Sequence, residues 1–326
     1  MAQSKIYGLE ILKFLAALMI TNSHFKLLYP LQLSALGTLG APGNALFFFI
    51  SGYALMLGHQ SDFSSWYQRR LKRLWVSPFI YATILAPLFL SYDIKMEDIW
   101  LGGNFWFIKC IAVYYILFYM IRKFGMKLIK SFIIISMLIS VAYFMMMDVT
   151  PHSIYITNFH YVSFFSIMLL GAYCGDNNTW GKNKDSAAQY FYMVVISLVL
   201  FYAIQFVGKG FMGGRYYLQI VSLIPLHMFV YSIYRLVLSP SFSKLFERKI
   251  IVLVVRTVAA LTLEIYIIGF HFVYMTQLNN LFPLNIVIVG IILLFAAYIL
   301  KVLSNIFLQF MSNTRINWKI CFSLFQ

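Results

Sequence analysis

The sequence has few charged residues and few cysteines. Only 11% of its 326 residues are charged, against about a quarter in a typical soluble domain. The three cysteines are scattered and show no CxxC spacing, so neither a disulfide framework nor a zinc site is indicated, and we expect no bound metal. The first apolar stretch is long and no small-residue cleavage site follows it, so we expect no signal peptide.

Apolar residues dominate instead. They make up 62% of the chain, and the mean hydropathy is +0.81. A bilayer core of ~30 Å needs about 20 apolar residues per helix. Ten runs fit this requirement, near 9–29, 43–58, 74–92, 105–121, 131–147, 160–175, 189–207, 216–237, 251–275 and 285–311. We therefore predict an all-α polytopic membrane protein, a bundle of about ten transmembrane helices. We expect one membrane domain over 1–326, with no appended soluble domain.

The distribution of Lys and Arg predicts the orientation of this bundle. With the N terminus inside, the inner segments hold sixteen basic residues and the outer loops hold four. Such a bias is typical of cytoplasmic loops, so we expect both termini in the cytoplasm. The net charge of +15 therefore comes largely from basic loops that orient the protein in the lipid bilayer. A nucleic-acid partner is not indicated.

Lys13 and His24 stand in the first apolar run. Eleven positions are about three helical turns, so the two residues differ by only ~20° around the helix and by ~16 Å along it. Ionisable residues inside spans mark function by default. A neutral histidine is a fair general base near pH 7, and Asn22 and Ser23 are candidates to support it. The alternative is that both side chains reach out to the two interfaces.

The stretch QRRLKRLW, 68–75, is rich in arginine. Arg70 and Arg73 are about one turn apart and share a helical face, with Arg69 and Lys72 beside them. A positive-inside anchor is one interpretation. Planar guanidinium groups also suit bidentate phosphate recognition, so a phosphorylated cytoplasmic ligand is the other.

The ninth run contains Glu264 and His271, which are nearly two turns apart and so share a face, with Tyr266 nearby. A buried structural network and a catalytic role are both open for this group.

Taken together, these stretches resemble the bacterial integral-membrane acyltransferase family 3, which O-acylates surface polysaccharides and other cell-envelope acceptors. The likeness is carried by the Lys13–His24 pair, NALFFFISGYAL at 44–55, YQRRLKRLWVSPF at 67–79 and NFWFIKCIAVYYILFYMI at 104–121. LTLEIYIIGFH is similar to a late-span signature, with the histidine five residues after Tyr266 instead of three.

The resemblance implies a multi-pass acyltransferase of the bacterial inner or plasma membrane. Its donor would be acetyl-CoA or another acyl-CoA, with no tightly bound cofactor. Its acceptor would be a hydroxyl of a surface glycan or of a lipid-linked glycan. By this likeness His24 is the catalytic base or a transient acyl carrier, Lys13 assists it, and Arg69, Arg70 and Arg73 hold the CoA phosphates. A proton-coupled transporter or exporter of a glycan-related substrate is the alternative, and a non-enzymatic scaffold a third reading.

Overall fold

The protein is helical throughout the part of the chain that its computed structural model describes, residues 2–59, 61–85, 105–147, 153–177, 186–208, 216–275, 281–312 and 315–324. No strand occurs in these ranges. The helices of twelve or more residues there are α1 (Ala2–His24), α2 (Gly40–Leu57), α3 (Phe63–Ile80), α4 (Trp106–Phe124), α5 (Ile129–Met145), α6 (His160–Asp176), α7 (Ala187–Phe206), α8 (Leu223–Leu238), α9 (Lys249–Ala260), α10 (Thr262–Met275) and α11 (Leu284–Met311). The prediction of an all-α protein is confirmed for these residues.

Helices occupy all ten predicted runs as far as these are described; of the third, residues 86–92 lie outside the described ranges. The segments long and apolar enough to cross a bilayer are Tyr7–Leu28, Leu31–Leu57, Met126–Met145, Ala187–Phe206, Tyr216–Leu238 and Leu284–Met311. The pair α9 and α10, bent by 63°, adds a seventh if it is one span. Membrane-spanning character is thus supported, while the count of ten and the cytoplasmic termini stay predictions.

The chain divides into two compact units by its contacts. Unit 1 comprises Met1–Leu12, Ala41–His59 and Leu117–Val252, and unit 2 comprises Lys13–Gly40, Gln60–Ile116 and Leu253–Gln326. All the site residues predicted from the sequence belong to unit 2. The expectation of one membrane domain stays a prediction.

In unit 1, the backbones of α2 and α6 approach each other very closely. A Cβ atom at Gly52 would overlap the carbonyl oxygen of Met168, and a Cβ at Gly171 would overlap that of Phe49. Helices in a membrane gain little from the hydrophobic effect, so small residues that let backbones approach are favoured at their contacts. The glycine of the second-run Ser-Gly signature is therefore required for packing.

A cation caps the end of α2 within the same unit. The last carbonyl groups of a helix lack partners inside that helix. The Arg122 guanidinium on α4 donates to the carbonyl oxygens of Leu55 at 2.6 Å and Gly58 at 2.8 Å. Its positive charge also suits the negative end of the helix dipole. A residue that the sequence shows only as a topology signal thus stabilises a helix terminus.

Polar side chains inside unit 1 bond to one another. The Gln205 amide donates to Ser222 at 2.9 Å and accepts from Ser153 at 2.8 Å. The ring of His227 lies between a backbone carbonyl oxygen, 2.8 Å from Nδ1, and the Ser166 hydroxyl, 3.0 Å from Nε2. Because the carbonyl can only accept, the neutral ring carries its proton on Nδ1, and Nε2 shares the Ser166 hydroxyl proton with the carbonyl oxygen of Ser163, 3.2 Å from that hydroxyl. These contacts satisfy polar groups that would otherwise be costly in an apolar interior.

Unit 2 is built around α3, α10 and α11. Each of these helices contacts the other two, and the turn Phe25–Leu28 after α1 contacts α10 and α11. The Phe79 and Phe307 rings meet at 5.5 Å between α3 and α11. This packing places the end of α1, the arginine-bearing helix and the Glu264-bearing helix in one compact body.

Gly52→Ala should strongly destabilise the protein, because its methyl group meets backbone atoms, which cannot rotate away. Overpacking of this kind costs typically about 1–3 kcal/mol or more. We expect a clear drop in the thermal midpoint measured in detergent.

The matched control is Gly290→Ala on α11, where a Cβ meets nothing within 4 Å. Alanine also favours a helix over glycine, so this variant should keep the wild-type midpoint or exceed it. Equal midpoints for the two variants would contradict the close approach of α2 and α6.

Candidate active site

The helix α1 is continuous through both Lys13 and His24. The two residues therefore keep the helical spacing, ~16 Å along the axis and ~20° around it. Both side chains are half-buried. His24 is the last residue of α1, directly before the turn Phe25–Leu28. The candidate base thus stands where the helix ends.

The side chain of Asn22 holds the chain segment that follows this turn. Its amide nitrogen donates to the carbonyl oxygens of Leu36 at 2.8 Å and Thr38 at 3.1 Å, and its oxygen accepts from Tyr29 at 2.7 Å. Between the clamped segment and α2 lies Leu39 with φ 80°, a conformation that costs free energy for a leucine. Asn22 thus fixes the segment that follows the turn, and its role as support for His24 stays a prediction.

Ser23, the other predicted support, donates from its hydroxyl to the carbonyl oxygen of Ile20 at 2.7 Å. A second anchor for the end of α1 comes from α11. The buried Asn285 amide donates to the carbonyl oxygen of Leu28 at 2.7 Å. Sequence reasoning missed Asn285, although a lone amide at the start of a long apolar run was a usable signal.

The arginine-bearing helix α3 begins at a well-formed cap. The Ser65 N–H donates to the Asp62 carboxylate at 2.9 Å, which satisfies an orphan donor of the first turn. This hydrogen bond holds the pKa of Asp62 below its ordinary value. Arg69, one of the three predicted arginines, is exposed and donates to Ser61 at 2.5 Å beside this cap.

Arg70 lies over the ring of Trp66, with its guanidinium carbon 4.7 Å from the ring centroid. Trp66 is almost fully buried and meets Tyr115 edge-on at 5.9 Å. A guanidinium stacked on a fixed aromatic face is held in one orientation. Arg73 lies on the same helical face and is exposed. One ordered and one accessible guanidinium therefore share this face.

Further along the same face, α3 reaches a buried carboxylate. Ser77 lies about two turns beyond Arg70, and its hydroxyl donates to Glu264 Oε1 at 2.9 Å. The Lys301 ammonium on α11 forms an ion pair with the same oxygen at 3.2 Å. Glu264 Oε2 is buried and has no hydrogen-bond partner among the described residues.

The sequence analysis grouped Glu264 with Tyr266 and His271 of the same helix, but the described partners of its carboxylate stand on α3 and α11. Its contacts are Ser77 and Lys301, which sequence reasoning missed, although Lys301 is a lone charge within an apolar run. Tyr266 packs on Phe107 with ring centroids 5.5 Å apart. The side chain of His271 lies outside what the structure describes. Within the described ranges, no three His, Cys, Asp or Glu side chains gather as metal ligands would.

Lys301→Met should destabilise the protein, because it leaves the Glu264 carboxylate buried without a cation. Breaking a buried pair costs up to about 3–5 kcal/mol, and partial exposure of Lys301 lowers this figure. The double variant Lys301→Met with Glu264→Gln removes both charges and should regain most of the thermal midpoint in detergent. A double variant as unstable as the single one would show that the ion pair does not link these helices.

The chain was compared with known proteins. The family model for the acyltransferase domain of acyltransferase family 3 matches residues 6–305. No match was found among curated proteins or among solved structures. The matched range contains Lys13, His24, the three arginines of α3 and the Glu264 ion pair. Because this match spans most of its length, the chain belongs to acyltransferase family 3 and is a membrane acyltransferase.

Proposed function

We propose that the protein moves an acyl group, acetyl in the simplest case, from acyl-CoA in the cytoplasm to a hydroxyl of a surface polysaccharide or its lipid-linked precursor. It would do so in the bacterial cell membrane. One observation carries the proposal: a single compact unit holds the continuous Lys13–His24 face and the helix that bears Arg69, Arg70 and Arg73.

The arginines of α3 would bind the phosphates of the donor. CoA carries a pyrophosphate and a ribose phosphate, and guanidinium groups bind such anions in pairs of parallel hydrogen bonds. Arg70 rests on Trp66, so little side-chain entropy is lost when it meets a phosphate. Arg69 and Arg73 are exposed and so available to a donor arriving from the cytoplasm.

His24 would carry out the proton transfers. Its imidazole takes the proton of the acceptor hydroxyl while the oxygen attacks the thioester carbonyl. The C–S bond then breaks, and the imidazolium returns its proton to the sulfur, so CoA leaves as the thiol and the acceptor as the ester. Lys13, ~16 Å away on the same face, would contact the CoA arm or polarise the carbonyl. A transient acyl-histidine is the other form of this mechanism.

A proton-coupled transporter is the second candidate function. The buried Glu264 carboxylate, with Oε2 unpartnered among the described residues, is the observation in its favour, because intramembrane carboxylates serve as proton relays. An acyltransferase removes the labelled acyl group from CoA, whereas a glycan transporter leaves acyl-CoA unchanged. Membranes containing the protein and its acceptor, given labelled acetyl-CoA, would yield a labelled ester and free CoA only in the first case.

Arg70→Ala should weaken CoA binding and leave membrane insertion intact. Losing one charge-assisted contact costs roughly 1.5–3 kcal/mol, which corresponds to a rise in Kd of about 10-fold or more. Calorimetric titration of the purified protein with CoA measures this change. Lys127→Ala is the control, since Lys127 is an exposed residue outside unit 2. This variant should bind CoA as the wild type does. Unchanged CoA affinity for Arg70→Ala would leave this arginine as a topology anchor.

His24→Gln should abolish acyl transfer while CoA affinity stays near that of the wild type. Glutamine keeps hydrogen bonding but cannot take up a proton, and loss of a general base typically lowers the rate by about 10²–10⁴-fold. The mass of surface glycans from cells carrying each variant reports the transfer. His59→Ala, which changes an exposed histidine between α2 and α3, should give fully acylated glycan. Full acylation by His24→Gln as well would rule out histidine base catalysis here.

A further inference from the structure

A groove of about 700 Å³ lies in unit 2 between α3, α4 and α11. Its volume is within the ~300–1,000 Å³ typical of small-molecule sites. Most of its wall is supplied by α3, with Ala112 from α4 and Phe307 and Met311 from α11. The lining is almost entirely aromatic or aliphatic.

The groove is separate from the candidate active site. Leu71, Trp75 and Phe79 follow one another at four-residue intervals along its wall. At 100° per residue this row lies about 170° around α3 from the midpoint of Arg70 and Arg73. The arginine face and the groove therefore occupy opposite sides of one helix.

The two ends of the groove differ in chemistry. At one end the Phe79 and Phe307 rings meet at 5.5 Å. Towards the other end stand Gln68 and Lys72, with Tyr67 beside them, and along the helix axis they lie about 16 and 10 Å from Phe79. Lys72 is exposed and forms no hydrogen bond or ion pair with any residue that the structure describes. A single cation thus stands at the mouth of an apolar slot.

We propose that this groove binds one anionic phospholipid of the cytoplasmic leaflet. An acyl chain fills the slot between Trp75, Phe79 and Phe307. The lipid phosphate meets the Lys72 ammonium and the second N–H of the Gln68 amide, whose first donates to Ser64 at 3.2 Å. The order from charge to hydrocarbon along the groove is that of a phospholipid entering the bilayer. The charged end lies at the side of α3 that the Lys and Arg distribution predicts to be cytoplasmic, where anionic lipids attract basic side chains.

This proposal extends beyond acyl transfer and does not rest on it. A lipid held between α3, α4 and α11 would stabilise the packing of these three helices on the side of α3 opposite Arg70. A phospholipid is favoured over a helix of a second copy, because Lys72, near one end, is the one cation among the described lining residues. A chain-like ligand with a terminal anion matches that charge distribution.

Native mass spectrometry of the detergent-purified protein tests the site. Titration with phosphatidylglycerol should show one tightly retained lipid, and phosphatidylcholine of the same chains should bind more weakly. Lys72→Ala should raise the apparent Kd for phosphatidylglycerol by about 10-fold, the lower end of what losing a contact to a charged group costs. Ala112→Phe, which fills the slot, should abolish retention of this lipid.

Arg70→Ala is the matched control, since it removes a cation from the opposite face of the same helix and should retain phosphatidylglycerol as the wild type does. Equal retention of both lipids by the wild type would overturn the proposal. Wild-type affinity of Lys72→Ala for phosphatidylglycerol would overturn it as well. Because Lys72 is exposed, its substitution should not disturb folding, so a loss of affinity would report on the site itself. A dimer that Ala112→Phe dissociates would assign the groove to a second copy and overturn it too.

Discussion

The buried carboxylate of Glu264 determines how the helices of unit 2 meet. A charge in an apolar interior is costly unless a counter-charge and hydrogen bonds compensate it. Lys301 and Ser77 supply these on one carboxylate oxygen, at 3.2 and 2.9 Å. Since the three residues stand on α10, α11 and α3, satisfying one carboxylate brings three helices together. Together with the Phe79–Phe307 contact, this hydrogen bond fixes which side of α3 meets the other two helices.

This packing leaves α3 with two different sides. Trp66, Arg70, Arg73 and Ser77 follow one another along the first, and the aromatic groove occupies the opposite one. The run of basic residues at 69–73 is therefore divided by the helix. Arg70 and Arg73 join the candidate donor site, while Lys72 stands at the groove mouth. Residues adjacent in sequence thus face different sides of the helix, because successive positions differ by 100° around a helix.

Helix ends impose the second constraint. Backbone groups at a helix terminus have no partner inside the helix, and side chains can supply one. Arg122 does this for α2, and Asp62 for α3. Asn22 and Asn285 bind backbone carbonyls around the turn that follows His24. Two amide side chains thus tie the end of α1 and the turn after it to neighbouring segments.

The sequence alone determined the fold class, the places of the helices and the family, because apolar runs and short motifs are local properties. It also determined that Lys13 and His24 share a face, since one continuous helix fixes their separation. Only the tertiary structure decided the partners of Glu264, the stacking of Arg70 on a buried Trp66, the need for Gly52 and the groove beside Lys72. Glu264 and Lys301 are 37 residues apart, and Gly52 meets a helix more than a hundred residues away. Such pairs depend on how helices cross and rotate, and the period of a single helix carries no information about that.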